Sequence, residues 1–208
     1  MKSIQVLRDK HKGTTGFIVG KGPSLLKLRA GHFECFNRGP IIAINHAIHA
    51  VEALGAPSVY SMQRDGCDIN ERGNNPCEHD CNVRPLGSTG NGGYPKYAVL
   101  ILSHPESWFC YPNHPERYVF SDVNDLGFSE RIPPSLPNAV MIAELMGVKE
   151  IKLLCFDSIN GDARAVHFDK ILASHERAGG KERLKLDLSS AQLAQEAMTV
   201  PFEWVTIE

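Results

Sequence analysis

The chain has 208 residues, of which 42% are apolar and 22% charged, with a formal net charge of −2. This composition is typical of a globular protein of one domain, and lysine and arginine are too scattered to predict a nucleic acid duplex as partner. No stretch reaches the roughly 18 apolar residues of a membrane span, and the N-terminal residues lack the apolar centre of a secretory signal. We therefore expect a cytoplasmic protein whose six cysteines are reduced thiols or metal ligands.

Short apolar runs alternate with helical patterns along the first 62 residues. The sequence predicts strands at 17–20, 40–45 and 57–62, with helices at 22–30 and 46–55 between them. Alternating strands and helices are typical of parallel crossover units. We therefore predict an α/β fold with a Rossmann-like, mostly parallel sheet and helices on both faces.

The regular pattern is lost between residues 63 and 130. The first half of this segment, 63–96, holds three of the six cysteines and is rich in glycine and asparagine. Two further strands are predicted in the second half, at 97–103 and 117–122. Irregular stretches of this length often form lids or binding loops. We predict a single domain, 1–208, in which 63–130 is an inserted irregular lid region.

The last third of the chain becomes regular again. A loop that leads into a helix is predicted at 133–147, with Pro137 in the first turn of the helix and Gly147 at its C-terminal end. A strand is predicted at 150–157, an amphipathic helix at 189–198 and a strand at 202–207. The amphipathic helix is expected to pack on the core through one apolar face, formed by Leu193, Ala194, Ala197 and Met198.

Polar and glycine residues follow several of the predicted strands. In a parallel sheet, ligands bind at the carboxyl ends of the strands, so residues at these ends are candidates for a binding site. The candidates are residues 20–24, Asn45, residues 63–65, residues 103–104 and Asp157.

The turn Gly20-Lys21-Gly22-Pro23-Ser24 leads from the first predicted strand into a predicted helix. Glycines let a ligand approach the backbone, and a helix N-terminus favours an anion. The turn lacks the further glycine or the Gly-Lys-Ser/Thr of the known nucleotide fingerprints. Two interpretations stay open: a phosphate site, or a glycine corner whose helix is capped by Ser24.

The run "IVGKGPSL", followed by "IIAINHAI", resembles the start of a family of bacterial sialyltransferases. In that family the glycine turn and a following Asn hold the cytidine nucleotide of the sugar donor. The block "RIPPSLPNAVMIAELMGVKEIKLLCFDS" resembles the same family. Both blocks also resemble a related group that includes archaeal 6-hydroxymethylpterin diphosphokinases, which use ATP and Mg²⁺. The resemblance covers residues 16–65 and 131–158.

The resemblance implies roles for the residues that match it. The donor turn would consist of Gly20, Gly22, Pro23 and Ser24. Asn45 would contact the ribose or base, and Ser135 would meet the nucleotide at the start of the next helix. Lys21 stands where the sialyltransferases carry Asn. A lysine there would favour a phosphate that is more highly charged than the one in a nucleoside monophosphate sugar. The family's paired tyrosines for the leaving phosphate have no counterpart here.

Further side chains are candidates for metal binding or catalysis. Asp65 and Asp157 would suit Mg²⁺, which needs one or two carboxylates beside a diphosphate; turn capping or ion pairing is the alternative for each. His167 and His175 lie in the region where the sialyltransferases place a catalytic histidine, and a base there would activate an acceptor hydroxyl. A surface histidine is the alternative for both.

The irregular loop contains a group of zinc-type ligands. Three thiolates and an imidazole would suit Zn²⁺ and would order a loop that has no core of its own. The spacing is not that of a standard finger or ribbon, so a loop with ordinary thiols is the alternative. The residues are Cys67, Cys77, His79 and Cys81.

Together these features predict a nucleotide-dependent transferase, with a nucleotide or nucleotide-sugar donor and a small acceptor. A sialyltransferase-like glycosyltransferase is the leading hypothesis. The alternatives are a Mg²⁺-dependent, diphosphokinase-like transferase that uses ATP, and a nucleotide-binding protein of the same fold without catalysis. A zinc-ordered interaction module is a third class, suggested by the cysteine loop alone.

Overall fold

Eight parallel strands form one sheet in the part of the chain that the computed structural model describes, namely residues 2–20, 22–33, 39–44, 47–55, 58–63, 99–102, 117–119, 135–157 and 181–208. Across the sheet their order is β1-β6-β5-β4-β3-β2-β7-β8, and each neighbouring pair is parallel. The predicted α/β class with a parallel sheet is confirmed. The strands are β1 (Lys2–Ser3), β2 (Thr15–Val19), β3 (Ile41–Ile44), β4 (Val59–Gln63), β5 (Val99–Leu102), β6 (Arg117–Val119), β7 (Glu150–Leu154) and β8 (Phe202–Val205).

Three α-helices accompany these strands in the described ranges: α1 (Ala47–Ala53), α2 (Ser135–Leu145) and α3 (Lys181–Ala197). Buried residues of α2 and α3 join one apolar cluster with strand residues such as Ile18 and Leu153. Buried residues of α1 join a second cluster with Phe17 and Val19. Because successive strand side chains point to opposite faces, the two clusters lie on opposite faces of the sheet.

The central strands are apolar on both faces. All four residues of β3, Ile41–Ile44, are buried, as are the last four of β2. A strand covered on both sides reads as a continuous apolar run rather than as an alternating one. This explains why the short runs in the sequence predict strands of a covered parallel sheet.

The segment after β2 is not the α-helix that the sequence predicts at 22–30. It forms a 3-10 helix, Pro23–Lys27, and a second short one, Ala30–His32. Leu28 ends the first with φ −58° and ψ 133°, which lies outside the helical region. The prediction was wrong because Leu25 and Leu28 are both buried, and that spacing of three suits a 3-10 helix as well as an α-helix.

Helix α3 also differs from its prediction. It begins at Lys181 instead of 189, and its buried residues include Ala191 and Ala194. Leu193, which the sequence places on the core face, is 40% exposed. These two buried alanines are three residues apart, so among the described side chains, 188–197, the helix packs on the apolar cluster through small residues.

The N-terminal segment before β2 contains elements that the sequence analysis did not predict. A 3-10 helix, Ile4–Leu7, buries two apolar side chains, and the backbone N–H groups of Asp9, His11 and Gly13 donate to carbonyls of Leu145, Met146 and Gly147. Here the His11 ring also hydrogen-bonds the buried Tyr60 hydroxyl, with 2.7 Å between Nε2 and the hydroxyl oxygen. The segment thus ties the start of the chain to the α2–β7 connection.

Strands β5 and β6 lie within the segment 63–130 and pair with each other and with the rest of the sheet. Part of the predicted insertion therefore belongs to the sheet itself. Within the described ranges, no helix has both the length and the apolar character that crossing a membrane would require.

Candidate functional site

The strand order of the sheet reverses between β2 and β7. From β2 the chain proceeds through β3, β4, β5 and β6 on one side, and it then returns to place β7 and β8 on the other side of β2. The loops after two such strands turn to opposite faces and leave a crevice between them at the carboxyl ends. The glycine turn follows β2 and the segment Cys155-Phe156-Asp157 follows β7, so both predicted site elements meet at this crevice.

Backbone hydrogen bonds hold the glycine turn against the end of β7. The Gly20 N–H donates to the Leu154 carbonyl, and the Gly22 N–H donates to the Cys155 carbonyl, each with an N–O distance of 2.8 Å. The two bonds extend the pairing of β2 and β7 past the last strand residue. The turn is therefore held in place by the end of β7.

The two glycines are required by close packing. A Cβ on Gly20 would lie 2.7 Å from the Cys155 carbonyl oxygen and 2.8 Å from the Phe156 ring. A Cβ on Gly22 would lie 1.8 Å from Asp157 Oδ2, so the carboxylate occupies the place of the missing side chain. Glycine lets another group approach the backbone here, as the sequence analysis expects. The group that approaches is part of the same chain.

Ser24 and Asp157 are joined by two hydrogen bonds. The Ser24 N–H donates to Asp157 Oδ2 at 3.1 Å, and the Ser24 hydroxyl donates to the same oxygen at 2.8 Å. The Ser24 side chain is 8% exposed, so water screens this charged contact less than it would at the surface. Bonds of this kind to a carboxylate are stronger than neutral ones.

The capping arrangement differs from the proposed one. Gly22 is the N-cap of the 3-10 helix and provides no side chain, while Ser24 lies inside the helix. The cap is supplied by Asp157 from the segment that follows β7, 133 residues away in sequence. A 3-10 helix of five residues has few aligned peptide dipoles, so the two hydrogen bonds rather than a helix dipole hold the Asp157 carboxylate here.

The glycine turn and residues 155–157 together form a corner of the structure, and Cys155 is an unexpected feature of it. Its φ is +61°, in the left-handed region that residues other than glycine rarely adopt, and its side chain is 2% exposed. Burial raises the pKa of the thiol to about 12; a side-chain hydrogen bond with Ser24 lowers it in part, and the Asp157 charge raises it further. The thiol is protonated at neutral pH, which rules it out as a nucleophile in this state.

Aromatic side chains from β8 and from the segment after β7 lie next to the glycine turn and Asp157. Phe156 and Trp204 meet edge to face with ring centroids 5.8 Å apart, and Phe202 meets Trp204 at 6.3 Å. A small pocket beside them has room for about one water molecule. This aromatic cluster was not predicted, although the stretch "FEWV" at 202–205 places two aromatic residues in a predicted strand. The pocket is lined by Leu153, Cys155, Phe156, Asp157, Trp204, Val205 and Thr206.

Ser135 is the first residue of α2. Because α2 connects to the start of the parallel strand β7, its N-terminus lies at the carboxyl edge of the sheet, the edge that carries the glycine turn. Leu136, next to Ser135, packs into the cluster that contains Ile44 and Met62 from the ends of β3 and β4. Ser135 thus shares an edge of the sheet with Ser24 and Asp157.

The remaining candidates lie outside the described residues, and their predictions stay predictions. In the described ranges, no three metal-binding side chains come close enough together to hold an ion. The candidates concerned are Lys21, Asn45, Asp65, Cys67, Cys77, His79, Cys81, His167 and His175.

Comparison with known proteins adds no relative: the chain matches neither a protein-family model nor a curated protein.

Proposed function

We propose that the chain is a nucleotide-dependent transferase of Rossmann-like architecture, which binds its donor nucleotide in the crevice between the ends of β2 and β7. The single observation that carries the proposal is the reversal of strand order at the point where the glycine turn and Asp157 meet. Ligands of open parallel sheets bind at such reversals. Ser135, at the same edge on α2, supplies a further hydroxyl for donor binding.

A sialyltransferase-like glycosyltransferase is the form of this proposal that we favour. The Ser24 and Ser135 hydroxyls suit the polar groups of a nucleotide sugar, and the neighbouring Trp204 offers the apolar ring surface on which sugars and bases commonly stack. In this form the nucleotide monophosphate leaves as the sugar passes to an acceptor hydroxyl. The acceptor would lose its proton to a base such as His175 or His167.

A Mg²⁺-dependent diphosphate transfer from ATP is the second candidate, and Asp157 is the observation that favours it. A carboxylate beside the donor turn would repel a phosphate unless a cation lay between them. When bound, Mg²⁺ would neutralise the charge of the phosphates. The chain's own residues would then contribute by positioning them.

A thermal-shift panel with CMP, CDP, UDP, GDP and ATP, each with and without Mg²⁺, tests the proposal. A ligand at one hundred times its Kd stabilises a protein by about 2.7 kcal/mol, which corresponds to roughly 5–10 °C in a chain of this size. A response to CMP or CDP alone would favour sugar transfer, and an ATP response that requires Mg²⁺ would favour diphosphate transfer.

The matched variants are Ser24→Ala, in the turn, and Gly31→Ala, which adds a methyl group where no atom lies within 4 Å. We expect Ser24→Ala to reduce the nucleotide shift and Gly31→Ala to leave it unchanged. No shift with any nucleotide would contradict the proposal. Binding without transfer to any acceptor would identify the protein as a non-catalytic nucleotide binder.

A further inference from the structure

The carboxylate of Asp157 occupies the donors that a bound anion would use. Ser24 gives both its N–H and its hydroxyl to Asp157 Oδ2, and the space left by the missing Gly22 side chain is filled by the same oxygen. Phosphate and carboxylate oxygens accept hydrogen bonds from the same groups. An incoming phosphate would therefore compete with Asp157 for Ser24.

The segment that carries Asp157 is held in a strained conformation. Cys155 has a φ of +61°, and strain of this kind persists only where surrounding contacts hold it in place. The contacts here are the bond from the Gly22 N–H to the Cys155 carbonyl and the two bonds from Ser24 to Asp157. Loss of the Ser24 bonds removes part of the restraint and lets the corner relax.

We propose that Asp157 is a latch: its contact with Ser24 closes the glycine turn in the state described here, and an anionic ligand opens the corner by replacing the carboxylate on Ser24. The ligand's part in this proposal rests on the proposed function, whereas the latch itself does not. Opening the latch uncovers the Cys155 thiol, which is buried in the same apolar cluster as Leu25 and Leu28, the residues that follow the glycine turn.

Alkylation of Cys155 by N-ethylmaleimide, followed by peptide mass spectrometry of the full chain, measures how often the latch opens. In the wild type we expect slow reaction, because the thiol is buried. Asp157→Ala should accelerate it at least tenfold. Asp157→Asn should stay close to the wild type, because the amide oxygen accepts the same two hydrogen bonds.

Comparison of these two variants separates the latch from a charge effect, since both remove the carboxylate charge that raises the thiol pKa. Glu203→Ala, which removes an exposed acid on β8, is the matched control and should leave the rate unchanged. Urea unfolding of each variant gives the change in the global unfolding constant. Equal rates in Asp157→Ala and the wild type, or an acceleration no larger than that change, would overturn the latch.

If Asp157→Ala does not fold, Ser24→Ala serves in its place, because it removes only the hydroxyl bond and should give a smaller acceleration in the same direction. An unchanged rate in that variant would overturn the latch as well.

Nucleotide titration tests the part played by the ligand. A nucleotide that stabilises the wild type should bind Asp157→Ala about tenfold more tightly, because no internal carboxylate competes for Ser24. Weaker binding, as expected if Asp157 is a ligand of Mg²⁺, would overturn the competition. If no nucleotide binds either protein, the proposed function and the ligand's part both fail, and the alkylation rates alone decide the latch.

Discussion

Gly22 has no room for a side chain, because a Cβ there would lie 1.8 Å from Asp157 Oδ2 and 2.8 Å from the Cys155 carbonyl oxygen. The first neighbour is a side chain and can move, but moving it breaks the two bonds from Ser24. The second neighbour is backbone, which yields less easily. The glycine is thus fixed by the end of β7, not by its own backbone angles.

Gly22→Ala should lower the free energy of unfolding by about 1–3 kcal/mol, since the hydrogen bonds to a carboxylate are lost or the corner is displaced. Urea denaturation measures this loss. Gly31→Ala is the matched control, and we expect it to be neutral or slightly stabilising because nothing lies within 4 Å of the added methyl group. Equal stability of Gly22→Ala and the wild type would contradict the described contact.

His11 provides a prediction about pH. Burial, followed by the nearby charge of Lys10, lowers the pKa of its ring below the ordinary value of 6.5. The unfolded chain therefore binds a proton at a higher pH than the folded one. Stability should fall as the pH falls below about 6.5 and should level off below the folded pKa.

Unfolding free energies at pH 7.5 and 5.5 test this prediction in the wild type and in His11→Gln. The substitution removes the titration, and the glutamine amide can still hydrogen-bond Tyr60. We expect a smaller pH-dependent loss in His11→Gln than in the wild type. An identical loss in both proteins would assign the pH dependence to other groups.

At the scale of the element, α3 shows how a helical pattern predicts a helix but not its rotation. The sequence places Leu193 on the packed face, yet Leu193 is 40% exposed and Ala194 is fully buried. Alanine indicates the buried face of a helix only weakly, because it occurs as readily on exposed faces as on buried ones. Only the close approach of α3 to the rest of the apolar cluster identifies Ala194 as a contact.

The orientation of α3 predicts opposite outcomes for two substitutions at neighbouring positions. Ala194→Leu should destabilise the protein by about 1–3 kcal/mol, because three additional heavy atoms must enter a closely packed site. Leu193→Ala should change the stability by less than about 0.5–1 kcal/mol, as is usual for exposed positions. Chemical denaturation of both variants checks this, and the reverse order of effects would show that the helix is rotated.

The 3-10 helix Pro23–Lys27 shows a second limit of the sequence. Glycine, proline and serine predict a turn that enters a helix, and a helix does follow the turn, but it is a 3-10 helix and Ser24 does not cap it. The cap is Asp157, and no local pattern links residues 24 and 157. Contacts between distant residues depend on the order of the strands, which local periodicity does not contain.

At the scale of the molecule, the alternation of apolar runs with helices was sufficient to predict an α/β fold with a parallel sheet. Because the carboxyl ends of parallel strands meet at one edge of the sheet, the sequence also predicted that the glycine turn and Asp157 share that edge, and both lie there. The reversal of strand order between β2 and β7 was not predicted, because it is decided by which strands pair over long distances. The positive φ of Cys155 was not predicted for a related reason. The Cys155 carbonyl accepts a hydrogen bond from the Gly22 N–H, and this contact between distant residues leaves no local pattern in the sequence.

The proposed nucleotide site lies between the ends of β2 and β7. Titration of ¹⁵N-labelled protein with the nucleotide that gives the largest thermal shift tests it most directly, through the backbone amide signals. We predict that the largest changes fall on Gly20, Gly22, Ser24, Cys155 and Asp157, while Gly55, in the turn after α1, does not change. Changes confined to other parts of the chain, or none at saturation, would contradict the claim.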